Sequence, residues 1–173
     1  ISEAKKTFKE IPEKKLKLKF LIKDMRSFNF KNYFDAAINI FTSFGYFDND
    51  KENFKVFENS NKSLKNNGWF VFDFINSGYL IKTLKPYSKE KIFGKQIVQK
   101  RRIENGFVIK DIYVNGEKKP SYNEILRLYS PEDITDAMDV NGFNVMKMFG
   151  DYYGNKFNKY KSSRLIIFAK KNN

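Results

Sequence analysis

Two nearly unbroken apolar runs, residues 34–41 (FDAAINIF) and 69–75 (WFVFDFI), most constrain what this chain can fold into. Runs without polar alternation predict strands covered on both faces, as in the middle of a parallel sheet. Parallel neighbours need a crossover and cannot be joined by a tight turn. Residues 51–66 supply one, because Phe54, Phe57 and Leu64 fall at helical spacing. Asn49 and Glu52 form a capping pair at its start, and Asn67-Gly68 are expected to end it. Strand, helix and strand in this order predict a right-handed crossover unit and hence a doubly wound α/β sheet.

The flanking segments read differently. Residues 16–22 alternate leucine and lysine before turning apolar, a period-two pattern suited to an edge strand. Residues 96–103, 107–114 and 124–129 are punctuated by Asn105-Gly106 and Asn115-Gly116, turn signals for antiparallel hairpins, so an inserted β-meander is expected over 90–130. Ser130 then caps a helix with Pro131 in its first turn, an apolar stripe of Ile134, Ala137 and Met138, and Gly142 at its end. Residues 143–148 and 165–169 give two closing strands, with a lysine-rich loop over 155–163.

A length of 173 residues with 41% hydrophobic content suits one domain over 1–173 with a single core. The chain has no cysteine and no histidine, which removes disulfides, thiolate nucleophiles, zinc-thiolate sites and the commonest general base. No apolar run reaches the roughly 20 residues of a membrane-spanning helix, and the first residues form no signal-peptide pattern, so a soluble, cytoplasmic protein is expected with no membrane partner. The net charge of +13 is compatible with a polyanionic partner. The joint abundance of Lys, Asn, Ile and Phe favours a plainer origin in an A/T-rich coding bias.

In an open α/β sheet, ligands bind beyond the carboxyl ends of the strands. Three such tips are polar or glycine-bearing here: Lys23-Asp24-Met25-Arg26, Thr42-Ser43-Phe44-Gly45-Tyr46-Phe47 and Asn76-Ser77-Gly78-Tyr79. Small residues admit a ligand to the backbone, and the neighbouring aromatics can exclude water. Asp73 lies amid aromatics within a strand, where an unpaired carboxylate is costly, so a partner or a function is expected for it. The run Lys100-Arg101-Arg102 either attracts an anionic acceptor or keeps a solvated edge from aggregating.

The string FDAAINIFTSFGYF, followed by a helix and then by SLKNNGWFVFDFIN, resembles the fourth- and fifth-strand signature of class I S-adenosylmethionine-dependent methyltransferases. KDMRSF, LYSPEDI, NGFNV, GDYYGNKF and RLIIFAKK continue the likeness in order, over essentially the whole chain. The resemblance implies a Rossmann-like, doubly wound and mostly parallel sheet with the meander as a lid, and S-adenosylmethionine as cofactor. It implies that Asp24 accepts from the adenine amino group, that Met25 and Arg26 border the ring, and that Asn39, Ile40 and Phe41 lie beside the sulfonium. Ser43, Phe44, Gly45, Tyr46 and Asn76 would border the acceptor, with Tyr113, Arg127 and Tyr129 reaching it from the lid.

Family members carry a GxGxG loop and a ribose-gripping acid upstream of all this. Neither occurs here, and ISEAKK at residues 1–6 resembles the residues just after that acid. The expectation is therefore a partial methyltransferase domain, without its N-terminal strands, acting on a small-molecule acceptor as part of a longer enzyme. With no histidine, a base for an amine or hydroxyl acceptor must come from Asp73, Tyr46, Tyr113 or water. Two other readings stand beside this one: a basic nucleic-acid-binding protein or RNA methyltransferase, and a truncated, inactive relative.

Overall fold

A computed structural model describes residues 18–172. Residues 1–6, and residues 16 and 17 of the expected edge strand, lie outside them. The ordered elements begin with strand β1 (Phe34–Asn39), helix α1 (Asp50–Ser63), strand β2 (Leu64–Ile75) and helix α2 (Ser77–Thr83). Strands β3 (Tyr87–Ile92), β4 (Lys95–Glu104), β5 (Phe107–Val114) and β6 (Tyr122–Arg127) follow, then helix α3 (Pro131–Val140) and strands β7 (Phe143–Phe149) and β8 (Arg164–Lys171).

These strands build two sheets, one in the order β1-β2-β8-β7 and one in the order β3-β4-β5-β6. The crossover from β1 through α1 makes β1 and β2 a parallel pair. Strand β8 pairs antiparallel with both β2 and β7. The described sheet is therefore mixed, not mostly parallel, because the chain reaches β8 from β7 by a loop instead of a crossover helix.

Local chemistry explains the helix limits. The Asn49 side chain accepts from the Glu52 N–H at 2.9 Å, as the capping pair predicts. The end differs from expectation: α1 stops at Ser63 and β2 begins at once, with the Leu64 N–H bonded to Asn61 and Ser60 carbonyls. Asn67 and Gly68 instead lie in a bulge of β2, where the register jumps between Phe34↔Leu64 and Ala36↔Trp69. At α3 the Ser130–Asp133 capping box forms in both directions and Pro131 occupies the first turn. The meander gains a strand that the sequence pattern did not reveal, β3, joined to β4 through Phe93-Gly94. Asn105 and Gly106 sit at φ 50° and 79°, the left-handed pair that a two-residue hairpin requires.

Pleating sorts β2 by face. Phe70, Phe72 and Phe74 point toward α1 and α3 and, with Leu165, Ile167 and Ala169 of β8, form a core closed by Phe57, Ile134 and Met138. The other face carries Trp69, Val71 and Asp73 beside Ile166 and Phe168. Strand β1 does not occupy the sheet's middle as its apolar run suggested. Among the described residues β2 is its sole neighbour, and Ile38 is 66% exposed. Residues 18–22 form no strand either, since a period-two pattern cannot make one without a ladder partner.

Phe44 lies at the centre of the aromatic core, its ring 4.9 Å from Phe57, 5.2 Å from Phe72 and 5.9 Å from Phe74. Removing it leaves a cavity that its neighbours on α1, on β2 and at Tyr129 cannot collapse to fill. Phe44→Ala is expected to cost ~3–5 kcal/mol, read as a lower urea midpoint at unchanged slope.

Candidate functional site

Where β1 ends, the chain passes through two successive left-handed residues, Phe41 and Thr42, each at φ 58°. That conformation costs roughly 1–2 kcal/mol for a residue with a Cβ, and a β-branched threonine adopts it rarely. Part-buried hydrogen bonds hold both in place. Phe41 N–H donates to Asp73 Oδ2 at 2.8 Å, and Thr42 N–H donates to the Asp73 carbonyl oxygen at 3.2 Å. Thr42 Oγ1 accepts from Arg164 Nη2 at 2.9 Å. Asp73 is 1% exposed, and its carboxylate also accepts from Arg164 Nε at 2.7 Å and from the Tyr152 hydroxyl at 2.7 Å. Burial, and then Asp73, push the Tyr152 phenol above its usual range.

The carboxylate flagged in the sequence thus has its partners, and it is structural. Arg164 and Tyr152 carry no individual role in the sequence reading, and Thr42 enters it only as part of a polar strand tip. A signal for the first existed: one acid interrupts the apolar run of β2, and one arginine opens the apolar run of β8. The network throws the Phe41 side chain outward, 74% exposed. Beside it, the Oδ1 of Asn39 is buried without a hydrogen-bond partner, an acceptor aimed at no group among the described residues.

The turn at Asp24 docks on the same segment. Arg26 stacks over the Phe47 ring at 4.2 Å and bonds Glu52 at 2.9 Å, while Asn59 Nδ2 donates to the Met25 carbonyl at 3.1 Å. Both Asp24 oxygens are taken by Arg26, through its backbone N–H at 2.8 Å and its guanidinium at 2.6–3.2 Å. Those bonds lower the Asp24 carboxyl to about 2. The carboxylate expected to receive an adenine is therefore already clamped, because the guanidinium two residues on reaches it first.

On its other flank the loop after β1 opens to a cavity of about 210 Å³ beneath the meander. Thr42 and Tyr46 meet Ile75, Leu80, Val108 and Leu126 there, with Arg101, Lys110 and Glu124 at the meander wall. Burial, then the charge of Glu124, raises the Tyr46 phenol, so it stays protonated at neutral pH.

Of the residues expected around an acceptor, Tyr46 lines this cavity and several others do not. Phe44 is core. Gly45, at φ 93°, is buried against β6: a Cβ there would lie 2.9 Å from the Arg127 carbonyl oxygen, and the Arg127 N–H donates to the Gly45 carbonyl at 2.8 Å. Ser43 is exposed and donates to the Ile40 carbonyl at 2.8 Å. Asn76 is 1% exposed, and its Nδ2 ties down the 155–163 loop through the Lys159 and Ser162 carbonyls at 2.9 and 2.7 Å. Tyr113 and Arg127 fall on the strand face opposite to Lys110 and Leu126, so pleating turns both away from the cavity. Arg127 instead bonds Asp50 at 3.2 Å. Tyr129 is buried and donates to Asp50 at 2.7 Å.

No protein-family model matches the sequence, and no curated protein matches it significantly. Over 99% of its length, the chain superposes on 71% of an S-adenosylmethionine-dependent methyltransferase from Clostridium acetobutylicum, with a TM-score of 0.82 at 21% identity. The chain has a class I methyltransferase fold. Two further enzymes agree: the CcbJ methyltransferase from Streptomyces caelestis (TM-score 0.73, 11% identity) and an S-adenosylmethionine-bound amino pentose methyltransferase from Micromonospora echinaspora (TM-score 0.62, 14% identity). The match covers 87% and 86% of this chain but only 66% and 63% of those two. No helix among the described residues is long and apolar enough to cross a membrane.

Two outcomes follow for the site. Asp73→Ala strands the Arg164 guanidinium in a nearly closed setting and is expected to destabilise the chain by ~3–5 kcal/mol in chemical denaturation. The Asp24 carboxyl, followed by NMR, is expected to titrate near 2 instead of the usual 3.8. Because its folded value is depressed, the stability it contributes is present above about 3.8 and is lost as pH falls through about 2.

Proposed function

We propose that this chain takes part in methyl transfer from S-adenosylmethionine to a small-molecule acceptor, as part of a longer enzyme. The observation that carries this reading is the tip of β1, where a buried, unpartnered Asn39 Oδ1 adjoins a backbone turn locked by Asp73, one loop away from an apolar cavity. Polar and cationic groups of the cofactor fit an orphan acceptor, and the acceptor molecule fits the cavity. Asn39, Ile40 and Phe41 would border the sulfonium. Met25 would present its backbone and apolar side chain to the adenine, with Asp24 and Arg26 acting as a paired clamp that shapes the turn. The neighbours' greater length, and the lack of a GxGxG string in these 173 residues, support a division in which the rest of the cofactor cradle lies elsewhere in the enzyme.

When bound, the cofactor supplies an electrophilic methyl on sulfur. An acceptor's nucleophilic atom would take that methyl group from sulfur, a neutral amine or hydroxyl losing its proton, with Met25, Asn39, Ile40 and Phe41 as the residues of this chain that would hold the cofactor. The task of this chain's residues is alignment and exclusion of water. Asp73, engaged by three donor residues, is not free to take the proton, and Tyr46 stays protonated at neutral pH. With Tyr113 on the strand face opposite to the cavity, water is the one of the four candidates left to take the proton. The amino pentose enzyme among the structural neighbours favours a small molecule over a nucleic acid. The localisation that fits is the cytoplasm, and the meander is read as a lid.

Calorimetry with S-adenosylhomocysteine tests this, on the 173-residue chain and on a form extended by any residues encoded upstream in frame. Binding by either form is expected, weakened about 3- to 10-fold by Asn39→Ala through loss of one hydrogen bond. Absence of binding in both would remove the reading.

A further inference from the structure

The cavity-facing side of the meander carries a single row of charges. Arg101 of β4, Lys110 of β5 and Glu124 of β6 are direct cross-strand partners, and all three line the cavity. Lys110 and Glu124 close an ion pair at 2.5 Å. On the opposite face, Arg102 meets two carboxylates, Glu104 at 2.9 Å and Asp111 at 2.5 Å. Arg101, between these two satisfied arrangements, pairs with no carboxylate among the described residues. Its partners are all neutral: the Lys85 carbonyl at 3.4 Å, Ser88 Oγ at 3.2 Å and the Gln99 side chain. A guanidinium has five N–H donors. Three bonds leave two of them, the Nε–H included, without a partner on a half-buried cation.

The rest of the lining sharpens the contrast. Ile75, Leu80, Leu84, Val108 and Leu126 make most of the remaining wall, so the row's one uncompensated charge stands against apolar surface. A cation so placed is costly until an anion with two acceptor atoms completes its hydrogen bonds. A monoanion also brings the row to neutrality. At about 210 Å³, the space lies below the ~300–1,000 Å³ of drug-sized pockets, so the occupant is small.

We infer that Arg101 seats a carboxylate of the methyl acceptor, whose apolar body fills the cavity between the meander and the segment Ile75–Leu84. This deepens the methyltransferase reading and rests on it for the word acceptor, while the anion site itself stands on Arg101 and its surroundings. Thr42 and Tyr46 line the same cavity and join it to the tip of β1, so a small acid held at Arg101 has its far end directed to the loop where the proposed chemistry lies. Arg101 is on this view a specificity-determining residue, and the basic run read in the sequence divides by pleating. Arg102 belongs to a solvated ion-pair cluster and Arg101 to the cavity.

The test compares binding of phenylacetate and its methyl ester to the 173-residue chain by NMR titration, with no cofactor present. The acid is expected to bind about tenfold or more tightly than the ester, as a two-point charge-assisted bond implies. Arg101→Gln is expected to abolish that preference and Arg101→Lys to keep part of it. Arg102→Gln, on the other face, is expected to leave it intact. Equal binding of acid and ester, binding of neither, persistence of the preference in Arg101→Gln, or displacement of the acid by an equal concentration of inorganic phosphate would each overturn the inference. S-adenosylhomocysteine binding, measured separately, decides the methyltransferase reading; an acid preference that survives its failure leaves a carboxylate site without that chemistry.

Discussion

The contact on which the arrangement depends is the buried pair between Asp73 and Arg164, at 2.7 Å across two central strands. A charge pair in such a setting gains little net stability, since desolvation offsets most of the attraction. Its value here is geometric. The carboxylate has acceptor capacity beyond the arginine, and the excess fixes the Phe41 N–H and the Tyr152 hydroxyl. The arginine has donors beyond the carboxylate, and one fixes Thr42. Two strands, the tip of a third and the loop after β7 are thereby referred to a single point, with a pair of left-handed residues held where neither would settle alone.

Around that point the two faces of the large sheet differ in kind. One is a dense aromatic core, with Phe44 driven into it from the loop after β1, so the loop is anchored by burial as well as by hydrogen bonds. The other is more open, with an apolar hollow lined by Ile40, Val71, Phe149, Tyr152 and Phe168 beside the Asp73 carboxylate. The meander meets the loop through reciprocal placement of Gly45 and Arg127, whose backbones approach too closely for any side chain at residue 45. The cavity is what remains between these fixed points.

The apolar runs as strands, the N-terminal caps of α1 and α3 and the Asn-Gly turns were legible because each is a local property of a few residues. What escaped was non-local. β1 reads as a buried strand because apolar sequence reports what a strand can bury, and not which neighbours it has; Ile38 lies open among the described residues. Strand β3, YSKEKI, is nearly all exposed, so no burial pattern marks it. In the site, resemblance placed Phe44 and Asn76 beside a ligand, whereas local packing took the first for the core and two carbonyls took the amide nitrogen of the second. Tyr113 and Arg127 were lost to a single bit of information, the phase of the pleat. Arg101 was flagged within its basic run, but its lack of a counter-ion depends on where Glu104, Asp111 and Glu124 end up.

The partners Asp73 and Arg164 are 91 residues apart in the chain, and the whole meander lies between them. Each hairpin of the meander closes locally, while the pairing of β2 with β8 must wait for a long segment to return, so the large sheet is expected to be completed late in folding. The entropy of closing such a loop grows only with the logarithm of its length, about 0.6 kcal/mol per doubling. The two central strands are thus nearly indifferent to how much chain is spliced between them. A sheet closed in this way can exchange one intervening segment for another of different size, and keep its central ion pair.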